Sequence, residues 1–137
     1  MLKKGISLIL IVFIFACFNN DKPLFSDGKG YYTVTTGNGS SGSFISFSSE
    51  EIYKFYTIKS VTGQSLATYD KNYIDDFLQK KECKKVFSEV LDGIEINYYY
   101  SSKISGYRSI NGKKVNLQTC DDNGLYTIGS PLIYGGF

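Results

Sequence analysis

The sequence predicts an α+β fold: an antiparallel sheet of hairpins with one packed helix. Three observations point to it. After Cys83 the apolar residues recur with a period of two, the strand period. The dipeptides Asp92-Gly93 and Asn111-Gly112 break those stretches, and such pairs accept the positive φ of tight hairpin turns. The clearest helical spacing of apolar residues is at Tyr73, Ile74, Phe77 and Leu78, while Ile52, Phe55 and Tyr56 also have it in a stretch that is equally strand-prone. Composition agrees: 12 Tyr and 10 Phe with no Trp favour sheet, because a flat ring with a polar tip suits a half-buried strand surface.

Taken in order, residues 1–17 read as an export leader, 18–29 as a polar linker and 30–137 as a single domain, consistent with a chain of 137 residues. Residues 31–36 are rich in β-branched and aromatic side chains and form a first strand. The GNGSSG stretch at 37–42 is a connection, and without a following Lys-Ser/Thr pair it is not a phosphate-binding P-loop. Residues 44–47 alternate as a short strand. Ser48 and Ser49 followed by Glu50 and Glu51 suit a helix start, yet 53–58 is also strand-prone, so helix and strand both stay open there. Residues 57–69 read as two short strands across Gly63-Gln64. A helix follows, capped by Asp70 or Asn72, with acids early and Lys80 and Lys81 late as the helix dipole favours. Then come strands at 84–91 and 94–100, a polar connection at 101–108, and the Asn111-Gly112 hairpin. In the strand at 114–120, Val115, Leu117 and Thr119 face inward. A final strand covers 125–128, with Pro131 restricting 132–133 to an edge or tail.

The leader has Lys3 and Lys4 ahead of an apolar run at 6–16, which is signal-peptide anatomy and shorter than the ~20 residues of a bilayer span. Ile14-Phe15-Ala16-Cys17 resembles the lipobox of bacterial lipoproteins, in which the cysteine is lipidated and becomes the mature N-terminus; Phe15 stands where that motif usually has a smaller residue. The resemblance makes Cys17 the candidate lipidation site. Plain secretion, with Cys17 simply ending the apolar run, and an uncleaved anchor are the alternatives.

Composition excludes several activities. Removing Lys3 and Lys4 from 15 basic residues leaves 13 against 13 acids, so the mature chain is neutral. It makes no broad electrostatic claim on nucleic acid, and Arg108 is its one arginine. Histidine is absent, which removes His-dependent nucleophilic catalysis and His metal sites. No catalytic residue, metal site or cofactor is expected. Glu50-Glu51, Asp75-Asp76 and Asp121-Asp122 could supply carboxylate chemistry to a small cell-wall hydrolase, although helix dipoles and a turn account for them. Cys83 and Cys120 could bridge outside the cytoplasm; Cys120, following inward Thr119, is expected to face outward. Tyr99, opposite Tyr98 and Tyr100 on the alternation, is the candidate binding surface, since an exposed Tyr on a sheet can stack on a sugar or anchor a protein.

The pieces Tyr98-Tyr99-Tyr100-Ser101, Asn111-Gly112-Lys113-Lys114-Val115-Asn116-Leu117 and Gly129-Ser130-Pro131-Leu132-Ile133 resemble the C-terminal part of the YwmB-like exported proteins of Gram-positive bacteria. That resemblance covers about the last third of the chain. It implies export and a fold compared to the TATA-binding protein, with no established activity and no catalytic residue to carry over. The expectation is an exported, lipid-anchored envelope protein that binds a protein or glycan without catalysis, held at the membrane by its N-terminal lipid or signal. A hydrolase and an anchored subunit of a membrane complex are the alternatives.

Overall fold

The computed structural model describes residues 22–37 and 43–133. The elements run β1 (Tyr31–Thr36), β2 (Ser43–Ser48), a 3-10 segment (Ser49–Thr57), β3 (Val61–Thr68), α1 (Lys71–Lys80), β4 (Lys84–Leu91), β5 (Ile94–Tyr100), β6 (Arg108–Ile110), β7 (Lys113–Val115), β8 (Leu117–Asp122) and β9 (Leu125–Ser130). Seven strands form one antiparallel sheet in the order β2-β1-β3-β9-β8-β5-β4, and β6 and β7 form a separate hairpin. This is the α+β fold that the alternation and turn signals predict. The turns follow from their residues: Asp92 and Gly93, Asn111 and Gly112, and Asn123 and Gly124 all carry positive φ, as type I′ hairpins require.

Local chemistry also places α1. Asp70 accepts a hydrogen bond from the Tyr73 amide at 3.3 Å, satisfying one orphan donor of the first turn. Ile74 and Phe77 are buried on the sheet. With Tyr32, Val34, Phe47, Phe55, Leu66, Leu117 and Ile128 they form the larger core. The smaller core lies on the opposite face of β5 and β8 and gathers Ile96, Tyr98, Val115, Cys120 and Ile133. The Phe87 and Tyr98 rings stack there at 4.2 Å.

Four expectations are corrected. The linker at 18–29 does not reach its last residues: Phe25 is fully buried, its ring 5.0 Å from that of Phe77, so the domain already includes this segment. Within the 57–69 stretch one strand forms rather than two, β3 at Val61–Thr68, because Gly63 and Gln64 stay paired with Thr35 and Val34 of β1, and Gln64 also with Ser130 of β9. Residues 49–57 are neither α-helix nor strand but a 3-10 segment that buries Phe55. Val115 and Leu117 do not share a face. The chain breaks at Asn116 between β7 and β8, so Val115 joins the smaller core and Leu117 the larger.

Candidate functional site

Cys17 and the leader lie outside the described residues. Cys83 and Cys120 are free thiols. Cys83 borders the larger core and Cys120 sits in the smaller one, so a bridge between them would have to pass through the sheet. Cys120 does not face outward. The β6–β7 hairpin and the segment carrying Ile133 cover that face, leaving it 3% exposed. Burial pushes both thiols above the ordinary cysteine range, which suppresses the thiolate that nucleophilic or metal chemistry needs.

Tyr99 does lie opposite Tyr98, but that face is the one α1 covers. It is half-buried against the larger core, and burial raises its hydroxyl pKa. It is a packing residue, not an open binding surface, because this sheet buries both faces at β5. Two of the three carboxylate pairs already have local partners. Glu51 pairs with Lys54, and Asp121 accepts from the Gly124 amide at 3.1 Å in its turn. Asp75, Glu95 and Asp121 border a small hollow between α1 and β5. All three are exposed to water, not enclosed as in a water-excluding active site. Among the described residues no group of three candidate ligands could hold a metal ion. The chain has a Ser-x-x-Lys spacing at Ser26 and Lys29, but both are exposed, Ser26 on a turn and Lys29 just past it, away from the enclosed setting that activates a dyad lysine.

A different place on the molecule is built as a recess. At one end of the sheet, a cleft of about 360 Å³ opens between the N-terminal segment, β3 and the 104–108 connection. Two buried side-chain amides shape its walls. Gln64 on β3, 8% exposed, donates from Nε2 to the Lys22 carbonyl at 3.1 Å. Its Oε1 accepts from the Leu24 amide at 2.7 Å and from the Tyr32 hydroxyl. This fastens the segment that carries Lys22 to the sheet.

Asn116, fully buried, holds the opposite wall. Its Oδ1 accepts from the Ser101 amide at 2.9 Å. Its Nδ2 donates to the carbonyls of Ser101, Ile104 and Gly106 at 2.7, 2.9 and 3.1 Å. A loop from 101 to 106 has no ladder to satisfy its backbone, so one amide does so instead. The Asn116 carbonyl in turn accepts from Ser130 Oγ at 2.7 Å, tying the wall to β9.

The charged groups of the cleft are all cationic: Lys22 and Arg108 line it, together with Tyr107 and the hydroxyl residues Thr62 and Ser105, and no acid does. Lys114 Nζ stands 4.7 Å from the centroid of the Tyr107 ring, a cation–π distance that adds a third positive charge beside the opening. A chain of nearly balanced charge, with 15 basic and 13 acidic residues, has thus gathered its one arginine and two lysines around one recess. Sequence reading missed these residues because they fall in stretches read as linker and connection. The signal for them was indirect: a polar Asn116 within a strand-like run and a Gln64 read as the joint between two strands. Compared with known proteins, the chain matches no family model, no curated protein and no solved structure. Among the described residues no helix is long and apolar enough to cross a membrane.

Proposed function

We propose that this protein is an exported, lipid-anchored envelope module that binds an anionic envelope polymer, without catalysis, through the cleft of Lys22, Tyr107 and Arg108. The observation that carries the reading is charge segregation: two cationic side chains and no acid line a preformed recess. Arg108 offers a planar fork suited to carboxylate or phosphate oxygens, Tyr107 offers an aromatic face for a sugar or glycerol unit, and the Thr62 and Ser105 hydroxyls can bond to polyol groups. Export and anchoring at Cys17 are supported by the Lys3-Lys4 start, the short apolar run and the lipobox-like Ile14-Phe15-Ala16-Cys17. A lipid anchor would hold the cleft near the polymers it engages.

The test measures binding of full-length protein in nonionic detergent to polyglycerol phosphate, with neutral dextran as control. Arg108→Gln weakens polymer binding about tenfold, equivalent to ~1.4 kcal/mol, and the affinity falls with added salt. Equal binding of dextran, or an Arg108→Gln plus Lys22→Gln variant that binds as well as the parent, refutes the reading. The intact mass of the protein from native membranes tests the anchor. Cleavage before Cys17 with an added diacyl mass is expected, and an unprocessed Met1 start rejects it.

A further inference from the structure

The two outer strands of the sheet are protected very differently. β4, at one edge, carries Lys84, Lys85 and Glu89, and its register shifts between Lys85 and Phe87. Charges and a bulge are the devices that keep a free edge from pairing. β2, at the other edge, reads SFISFS, with no charge and no proline, and its pairing with β1 is regular. Phe44 is 54% and Ile45 40% exposed.

The direction of the free backbone groups on β2 can be derived. The Ser49 amide donates to the Gly30 carbonyl at 2.8 Å and the Gly30 amide donates to Ser49 Oγ at 3.1 Å, which puts Gly30 and Ser49 at a hydrogen-bonded position of the ladder. Antiparallel ladders alternate, so Phe47, Ile45 and Ser43 turn their backbone groups toward β1. Phe44, Ser46 and Ser48 turn theirs outward.

We infer that β2 is a dimerisation edge, pairing antiparallel with β2 of a second copy about a two-fold axis at Ser46. That register sets Ser46 against Ser46 and Phe44 against Ser48, and so uses all three outward rungs; an axis at Ile45 or Phe44 leaves some unused. It also places Ile45 opposite Phe47 of the other copy in the non-hydrogen-bonded pairs, where side chains approach most closely. Combined with the β1 register, the rows across the junction read Val34, Ile45, then Phe47 and Tyr32 of the second copy. The larger core of each copy therefore continues into the other, and the exposed part of Ile45 is covered.

Charge fits the same occupant. In this register Ser49 of the second copy falls opposite Ser43, which brings its Glu50 to the end of β2 where Lys54 and Lys59 border a groove with Ser43 and Ile45. The two-fold repeats the contact. A six-residue strand buries less than the ~1,200 Å² total of a stable interface, so the dimer is weak and concentration-dependent in solution, and is favoured where both copies share one membrane surface.

The experiment uses Ser46→Cys in the full chain. Hydrogen-bonded antiparallel partners have Cα atoms ~5.5 Å apart, within the disulfide range, so oxidation of the membrane fraction gives a dimer whose peptide map shows a 46–46 bridge. Glu89→Cys on the β4 edge gives at least tenfold less dimer. Ser46→Lys sets like charges face to face and abolishes the concentration-dependent dimer in sedimentation, with an unchanged thermal melt. Ser46 is exposed and its one side-chain bond, to the Thr33 hydroxyl at 3.0 Å, is at the surface, so both Ser46 variants keep the fold. An introduced thiol at position 46 that reacts with maleimide yet forms no 46–46 bridge overturns the inference, as does a Ser46→Lys protein that dimerises like the parent.

Discussion

Replacing Asn116 by Ala should cost about 3–7 kcal/mol of folding stability. The magnitude follows from what its amide leaves behind. Ser101 keeps a partner for its carbonyl in the Ile104 amide at 3.3 Å, and Gly106 is exposed, so water can reach its carbonyl. The Ser101 amide and the Ile104 carbonyl belong to residues 2% and 5% exposed and have no such recourse. Each buried orphan costs about 1–3 kcal/mol, and the small cavity adds roughly another 1 kcal/mol.

Against a total stability of ~5–15 kcal/mol for a domain, that loss moves the urea midpoint by a large fraction of its value. A domain of this size unfolds in a single transition, so the assay is equilibrium urea denaturation followed by circular dichroism, with the m-value unchanged. Ser109→Ala, exposed on β6, serves as control and should stay within ~0.5 kcal/mol. The same loss frees the 101–106 wall, so Asn116→Ala should also weaken polymer binding although Asn116 does not line the cleft. A stability change below about 1 kcal/mol would refute the reasoning that one amide satisfies this loop.

Phe25→Ala should destabilise by about 3–5 kcal/mol, since its ring packs between Tyr32 and Phe77; a variant as stable as the parent would return residues 22–29 to the linker. Alkali should unfold the protein at a defined place on the pH scale. Burial holds Tyr32 and Tyr73 above the ordinary phenol range and pushes Tyr98 up to about 12, aided by its hydrogen bond to Glu89. A group whose folded pKa is raised contributes stability that is complete below its unfolded value near 10 and is lost as pH rises through the folded value. Absorbance at 295 nm should therefore show exposed tyrosines ionising first, with the buried ones following only as circular dichroism is lost between about pH 10 and 12. All 12 tyrosines ionising near pH 10 with the fold intact would contradict this.

Much of the architecture is local and therefore legible. Asp92-Gly93 and Asn111-Gly112 announce their turns because few other pairs accept positive φ twice in succession, and the stripe Tyr73, Ile74, Phe77, Leu78 announces α1 because it fits one periodicity. Legibility fails where one residue serves two frames. Asn116 interrupts an alternation that looks continuous, and the break sends Val115 and Leu117 to opposite cores. Cys120 obeys the alternation, yet its face is buried as well, because the β6–β7 hairpin covers it. Tyr99 lies on the expected face, but α1 occupies that face. Phe25 sits in a run whose neighbours are polar, and nothing within that run says that its ring reaches Phe77.

The linear order of residues determined the strand periods, the turn positions, the helix and the absence of histidine chemistry, since each depends on neighbours a few positions apart. Only the tertiary structure decided which strand became which edge, which face each layer covered, and that Lys22 and Arg108 meet at one cleft. Those outcomes depend on contacts between segments far apart in the chain, where the energy of burial and of satisfying buried polar groups is settled collectively.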